Sequence, residues 1–344
     1  MSDHKIIVIG ASAGGVEALI SLVKQLPPDF PAAIFIVLHI PAHGTSVLPT
    51  ILSRAGKLKA VHPQDGQVIK PGQIYIAPPN NHLLIKRGHI TLACGPKENG
   101  HRPAVDPLFR TAARVYGART IGVILSGSLD DGTAGLMAVK MRGGVAVVQN
   151  PKEAMFVGMP TSAAENVEVD YIMPLSEIPS LLTELVNQPV TKEEQPMPDE
   201  MEIEADMSEL EINAVHKHDR PGNPSGFACP GCGGSLWEFQ EGNLLRFRCR
   251  TGHAYSSGTL LAEQSEALEE ALWVALRALE ENSALAARLA DKARDRQHTK
   301  SAERFDEQSQ DAQKRANVIR EALLNDSKPK VVNHRHGNGQ LEII

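Results

Sequence analysis

The sequence is poor in aromatic residues, 4% of 344, and carries only four cysteines and two tryptophans. Four cysteines over this length are too few for a disulfide framework, which excludes the small secreted scaffolds and fits a reducing cytoplasm. Long apolar runs are missing too. The longest, Ala32 to Leu38, falls far short of the roughly 20 residues that a membrane-spanning helix needs. Only four apolar residues separate the opening Met1-Ser2-Asp3-His4-Lys5 from Gly10, so no secretory signal peptide is expected. Charge of one sign is also lacking. A net charge of −6 and a pI near 6.1 give no electrostatic reason to expect nucleic acid or membrane insertion.

What is present is length and alternation. The chain exceeds the roughly 100–200 residues of one ordinary domain. Residues 5–187 alternate short Ile/Val-rich runs with amphipathic stretches: Lys5–Gly10, Ala33–Leu38, Gln73–Ala77, Leu83–Ile85, Thr120–Leu125 and Val145–Gln149 read as strands. Gly15–Leu26, Leu48–Ser53, Asp106–Tyr116 and Gly135–Met141 read as helices. That order predicts an α/β fold, a doubly wound and mostly parallel sheet with helices on both faces. Residues 188–224 are an expected acidic linker, with nine acids between Glu193 and Glu211. A small cysteine-bearing unit is expected over 225–258, a helical hairpin or coiled coil over 259–326, and a flexible tail over 327–344. Residues 1–187 hold 16 Lys+Arg against 14 Asp+Glu, and the remainder 19 against 27, so the acidity belongs to linker and tail.

The sharpest local motif is Gly10-Ala11-Ser12-Ala13-Gly14-Gly15, between the first strand and the first helix. It fits a dinucleotide-binding loop or a nucleophilic serine at a strand-to-helix turn. A dinucleotide site calls for an acid about 20 residues on, to bind the ribose. The second strand instead ends Val37-Leu38-His39, and a histidine is what a serine nucleophile uses as general base. The strand at Thr120–Leu125 runs into Ser126-Gly127-Ser128-Leu129-Asp130-Asp131-Gly132, where an aspartate could orient the imidazole. Each residue has a plain structural alternative: Ser12 and either aspartate as helix caps, His39 as a loop residue.

In this order the motifs resemble the catalytic domain of the chemotaxis protein-glutamate methylesterases of CheB type, over about residues 5–187. Further segments carry the resemblance: His39-Ile40-Pro41, Tyr75-Ile76-Ala77-Pro78, Arg102-Pro103-Ala104-Val105-Asp106-Pro107-Leu108-Phe109, Gly143-Gly144, and Gln149-Asn150-Pro151 through Gly158-Met159-Pro160. The resemblance implies Ser12 as nucleophile, His39 as general base, and Asp131 rather than Asp130 as the orienting acid. It also implies hydrolysis of glutamate γ-methyl esters on a methylated chemoreceptor-like protein, with deamidation of particular glutamines as a second activity and no cofactor for catalysis. The family's Gly-Met-Gly stands here as Gly127-Ser128-Leu129, which puts the shape of the substrate groove in doubt. The first strand begins at residue 5, so a preceding phosphoacceptor receiver domain is not expected in this chain.

Beyond that region, Cys229-Pro230-Gly231-Cys232 is followed by Cys249-Arg250-Thr251-Gly252-His253. Paired soft ligands on two turns suit a tetrahedral structural zinc held by Cys229, Cys232, Cys249 and His253. Phe227, Trp237, Phe239, Phe247 and Tyr255 are expected to pack around it, with metal supplying much of the folding energy. Cys94 stands apart in a strand-like segment and is expected as a small core residue. Two stripes spaced by four and three follow: Leu261, Ser265, Leu268, Leu272, Ala275, Leu279, Asn282, Ala286 and Leu289, then Ala302, Phe305, Ser309, Ala312, Ala316, Ile319 and Leu323. They predict a hairpin packing on itself, or self-association. A rival functional reading is a signalling interaction module, with the fold and its tail as a docking scaffold for a partner.

Overall fold

The Ile/Val-rich runs become strands of one sheet because they are apolar on both faces. The computed structural model describes residues 4–190, 202, 205, 206 and 222–326. Most of the expected linker, and the expected tail over 327–344, lie outside the described residues. In chain order the elements are β1 (Ile6–Ala11), α1 (Gly15–Gln25), β2 (Ala33–Leu38), α2 (Leu48–Ala55), β3 (Lys59–Val61), β4 (Gln73–Ile76), β5 (His82–Lys86), β6 (His89–Ala93), α3 (Val105–Tyr116), β7 (Thr120–Ile124), α4 (Thr133–Met141), β8 (Val145–Gln149), α5 (Gly158–Asn166), β9 (Tyr171–Met173) and α6 (Ile178–Asn187). Then come β10 (Asn223–Ala228), β11 (Ser235–Glu241), β12 (Leu244–Cys249), β13 (Ala254–Ser256), α7 (Ser257–Asp295) and α8 (Thr299–Asp326). The chain divides into two compact units, Met1–Leu261 and the remainder from Ala262.

The main sheet is parallel throughout, in the order β3-β4-β2-β1-β7-β8-β9. All six residues of β1 and of β2 are buried, so alternate side chains feed two separate cores. Ile7, Ile9 and Ala11 pack with Leu19 and Leu22 of α1, Leu52 of α2 and Leu182 of α6. Ile6 and Val8 pack with Leu108 and Phe109 of α3, Leu136 of α4 and Met159 of α5. Helices therefore cover both faces. Strand order reverses at β1, which pairs β2 on one side and β7 on the other, and the carboxyl ends at such a reversal form a crevice.

The three-residue β3 and β9 are too short for periodicity to reveal them, and the five-residue β6 is a further strand that the sequence reading did not name. Cys94 corrects an expectation. It is exposed just past β6, its thiol reaching Asn81 Oδ1 at 3.2 Å, because the segment twists out of the two-stranded β5–β6 ribbon instead of entering a core.

The four-stranded sheet β10-β11-β12-β13 is antiparallel and much thinner in apolar cover. Its core is Cys229, Leu236, Phe247, Cys249, Tyr255 and Leu260. Phe227 meets Phe247 edge-on at 5.9 Å, although Phe227 itself is exposed. Trp237 and Phe239 are only half-buried and fall outside this core, because they alternate to the opposite side of β11 from Leu236 or lie beyond it.

In the second unit α7 and α8 lie antiparallel, with Leu276 beside Ala316 and Leu323 in one apolar cluster and Ser283 exchanging hydrogen bonds with Ser309. The α8 stripe is buried where expected, at Ala302, Ala312, Ala316 and Leu323. The α7 stripe is met in part: Ala286 is buried and Leu272, Ala275 and Leu279 are half-buried, while Leu261, Ser265, Leu268, Asn282 and Leu289 are exposed and Leu276, Ser283, Ala290 and Ala293 are buried instead. A straight helix drifts about 20° per heptad against a strict seven-residue pattern, and the serine pairing selects Ser283 over its neighbour. Among the described residues no helix is long and apolar enough to cross a membrane.

Candidate functional site

Register places the first two candidate residues side by side. Ala11 and Leu38 are partners across β1 and β2, so Ser12 and His39 leave adjacent strands together at their carboxyl ends. The His39 N–H donates to Ala11 O at 3.2 Å, and the Ser12 N–H donates to Ser126 O, just past β7, at 3.0 Å. Gly14 takes φ 70° as it turns the chain into α1, a conformation that a side chain disfavours. Gly127 is held by space instead: a Cβ there would lie 2.1 Å from Met159 Sδ and 3.0 Å from Ser12 Cβ.

The third candidate arrives from the β7–α4 turn. His39 Nε2 lies 2.7 Å from Asp131 Oδ2, both side chains almost fully buried. The Asp131 carboxylate accepts three more N–H groups within 3.0 Å or a little beyond: Val105 N–H at 2.7 Å, Asn99 Nδ2 at 2.9 Å and Asp106 N–H at 3.3 Å. Burial alone would raise its pKa, but the His39 bond, the Val105 N–H and Asn99 outweigh it and hold the carboxyl at about 2. An ionised Asp131 accepts a hydrogen bond from Nε2–H, which keeps the ring proton on Nε2 and leaves the lone pair on Nδ1. That atom is buried and has no hydrogen-bond partner among the described residues. Asp130, the other aspartate of the pair, turns away and accepts from Ser256 Oγ and Thr259 Oγ1, both at 2.7 Å.

Sequence reading missed three residues here. His101 stacks on the His39 ring at 3.7 Å between centroids. Burial, then the charge of His39, pushes its pKa down to about 4, so at neutral pH it is an uncharged plate against the imidazole. Asn99, at φ 49°, spans Asp106 and Asp131 with one amide nitrogen, 2.9 Å from each. Asp106 lies within a quoted motif but had no assigned role. Its Oδ1 accepts from the N–H of Gly132 at 3.1 Å and of Gly135 at 2.7 Å, while burial and the Asp131 charge push its pKa up to about 7. The available signal was Glu98-Asn99-Gly100-His101, a polar run directly before a buried helix.

A short segment of backbone explains the departure at Ser128-Leu129. Leu129 sits at φ 59°, a region that favours glycine, and the backbone of Gly158 packs against it. Leu129, Met155, Phe156 and Val157 form an exposed apolar rim. Gly14 is close enough that a Cβ there would lie 2.9 Å from Met155 Cβ, and Phe156 O accepts the Gly127 N–H at 3.1 Å, so this rim borders the Ser12 turn.

The four expected metal ligands also meet. Cys229 Sγ and Cys249 Sγ lie 3.6 and 3.5 Å from His253 Nδ1, and Cys232 Sγ lies 3.7 Å from Cys249 Sγ. All four donor atoms fall within 4.8 Å of one another. Tetrahedral zinc with bonds of about 2.3 Å to sulfur sets ligand atoms about 3.8 Å apart, so the cluster has the size of such a site.

Comparison with known proteins supplies the remaining evidence. Residues 7–182 match the family model for CheB methylesterase. A putative protein-glutamate methylesterase/protein-glutamine glutaminase of Leptospira interrogans is 41% identical over 184 residues, 53% of this chain and 95% of the relative. A protein-glutamate methylesterase/protein-glutamine glutaminase of Pyrococcus horikoshii is 36% identical, and there the match spans only half of the relative's length. The crystal structure of the Thermotoga maritima CheB methylesterase catalytic domain superposes with a TM-score of 0.51 at 39% identity, covering 53% of this chain and 99% of that domain. Parallel sheet, switch-point serine turn and matched sequence agree: this chain belongs to the CheB methylesterase family.

Proposed function

We propose that the chain is a protein-glutamate methylesterase that uses Ser12, His39 and Asp131 as a catalytic triad. The observation that carries this reading is the 2.7 Å His39–Asp131 contact at the same sheet edge as Ser12. Ser12 Oγ attacks the γ-ester carbonyl of a methylated glutamate while His39 Nδ1 takes its proton. Backbone N–H groups of the first turn of α1, which have no partner within the helix, take the oxyanion. The intermediate collapses as His39 returns the proton to the departing methoxide, releasing methanol and leaving an acyl-serine. Water, deprotonated by His39, then attacks that ester; glutamate is released and Ser12 regains its proton. A glutamine side chain at the same carbonyl position would release ammonia instead.

The substrate is a methylated chemoreceptor-like protein. The exposed rim of Leu129, Met155, Phe156 and Val157 supports a protein surface over a small soluble ester. Cys229, Cys232, Cys249 and His253 hold a structural zinc with all four positions filled by protein, so the metal takes no part in the chemistry. Four cysteines with no disulfide among them, three of them placed as metal ligands, fit work in the cytoplasm. The test is methanol release from a receptor fragment carrying glutamate methyl esters, alongside labelling by an alkyl fluorophosphonate. Labelling that persists in Ser12→Ala would overturn the assignment.

The scaffold reading has one observation behind it. Leu268, Trp273, Val274 and Leu285 are all more than half exposed on α7. Light scattering of the full chain separates self-association through this helix from a monomer.

A further inference from the structure

The Cys/His sheet places a strand and two arginines against the residues behind Asp131. β13 runs beside residues 97–99, with Asn99 N–H donating to Ala254 O at 2.8 Å and Ala254 N–H to Lys97 O at 3.3 Å. Ser256 N–H donates to Asn99 Oδ1 at 3.0 Å, which fixes which end of the Asn99 amide faces the two carboxylates. The Nδ2 end must therefore point at Asp106 and Asp131. From β12, Arg246 pairs through one guanidinium nitrogen with Glu241 of β11 at 2.7 Å and turns the other toward Asp106 and Glu98, 3.9 Å from each, and Arg248 lies 3.5 Å from Glu98. Arg246 is 1% exposed. Arg110 of α3 completes the pairing of Glu98, with one nitrogen 2.6 and 2.7 Å from its two oxygens.

Three carboxylates, Glu98, Asp106 and Asp131, are thus buried together, and part of their compensating charge comes from a separate sheet. Burying that much like charge without arginine would cost far more than packing can return. The link is also directional. His253, a ligand of the Cys/His cluster, directly precedes Ala254, and Cys249 directly follows Arg248. The four-atom cluster fixes both ends of the β12–β13 turn, and with them the register of Arg246 and Ser256.

We propose that Arg246 and Asn99 are positioning residues for the esterase triad, and that the Cys/His unit holds them there. This rests on the esterase reading above. Neither residue touches substrate. Asn99 sets the Asp131 carboxylate so that its Oδ2 meets His39, and Arg246 lies against Asp106, the neighbouring carboxyl that Asn99 also bridges and that accepts the Gly132 and Gly135 N–H groups. Loss of metal would release β13 from residues 97–99 and misplace Asp131 with the sheet intact.

The experiment uses the full chain. Methanol release from a methyl-esterified receptor fragment and the rate of Ser12 labelling by an alkyl fluorophosphonate are compared for wild type, Arg246→Met, Arg246→Lys and Asn99→Gly. The last keeps a residue suited to φ 49°. Misplacing an orienting group typically costs up to about 100-fold. We expect Arg246→Met and Asn99→Gly to lower kcat and the labelling rate by about 10- to 100-fold with KM unchanged, and Arg246→Lys to recover most of the loss. Zinc removal by a chelator should lower both rates similarly, and added zinc should restore them. Circular dichroism melting checks that each variant is folded at the assay temperature. Should Arg246→Met unfold, Asn99→Gly and chelation carry the same comparison. Rates within twofold of wild type in Asn99→Gly and after chelation would overturn the proposal, as would a loss that falls on KM alone. If wild type labels at Ser12 but releases no methanol, the esterase reading fails instead, and the labelling rates still decide the positioning role.

Discussion

Two sheets in the first unit solve the burial of polar groups on opposite terms. The seven-stranded sheet sets its site at strand ends anchored by two apolar cores, and its backbone does much of the positioning: register sets Ser12 beside His39, and the Val105 and Asp106 N–H groups join Asn99 around Asp131. The four-stranded sheet has six buried residues in its core and relies on side-chain ligands and charge: three cysteines, a histidine, and arginines aimed at carboxylates. A large core can hold a polar site in place because many strands over-determine it. A small one needs a few strong, directional contacts, which makes it the part most sensitive to chemistry.

The sharpest way to test the first half of that contrast is Ser12→Ala. Methanol release should fall by about 10⁴- to 10⁶-fold with the melting temperature unchanged, because only the proposed nucleophile is lost. The second half is tested by Cys229→Ser. Zinc content should drop from one per chain, and hydrogen exchange at Leu236 and Phe247 should accelerate by orders of magnitude while Ile7 and Val123 stay protected. Equal acceleration in both sheets would mean that they fold as one cooperative body. Gly127→Ala probes the tight backbone approach beside Ser12. The Cβ must displace Met159, so a loss of about 1–3 kcal/mol in stability is expected by denaturant titration, together with a reduced kcat.

The stacked histidines give a pH signature. His101 titrates at about 4 in the fold against an ordinary value of 6.5, so the unfolded chain binds its proton first. Its neutral form contributes stability that is fully present above about 6.5 and is lost as pH falls toward about 4. His101→Phe keeps a ring against His39 and should flatten the loss of melting temperature across that window; an unchanged slope would assign it to other groups. The smallest effect is Leu129→Gly, which relieves a left-handed leucine and should stabilise the chain by about 1 kcal/mol in thermal melts.

Several of these features were legible beforehand for reasons of period and spacing. β1 and β2 are apolar on both faces, and only a strand covered by helices on each side looks like that in sequence. The Cys-x-x-Cys and Cys-x-x-x-His pairs announce their ligand geometry locally. Asn99 and His101 showed only as part of the polar run Glu98-Asn99-Gly100-His101, and Arg246 not at all, because the contacts that tie them to the site reach far along the chain: Asn99 and Ser256 are 157 positions apart. The α7 stripe was misread in part for a related reason. Its helical period is local, but which residues become buried depends on where α8 crosses it.

Hydrophobic period and short spacing sufficed to read the parallel α/β unit, the serine, histidine and aspartate at three strand ends, and the grouping of Cys229, Cys232, Cys249 and His253. The folded chain added what local pattern could not carry: that the Asp131 implied by the family resemblance meets His39 while Asp130 faces Ser256, that His101 stacks on the imidazole, and that a second sheet brings arginine to the carboxylates behind the site. Buried charge is a property of everything within a few ångströms, and no local pattern encodes which distant residues come to share that space.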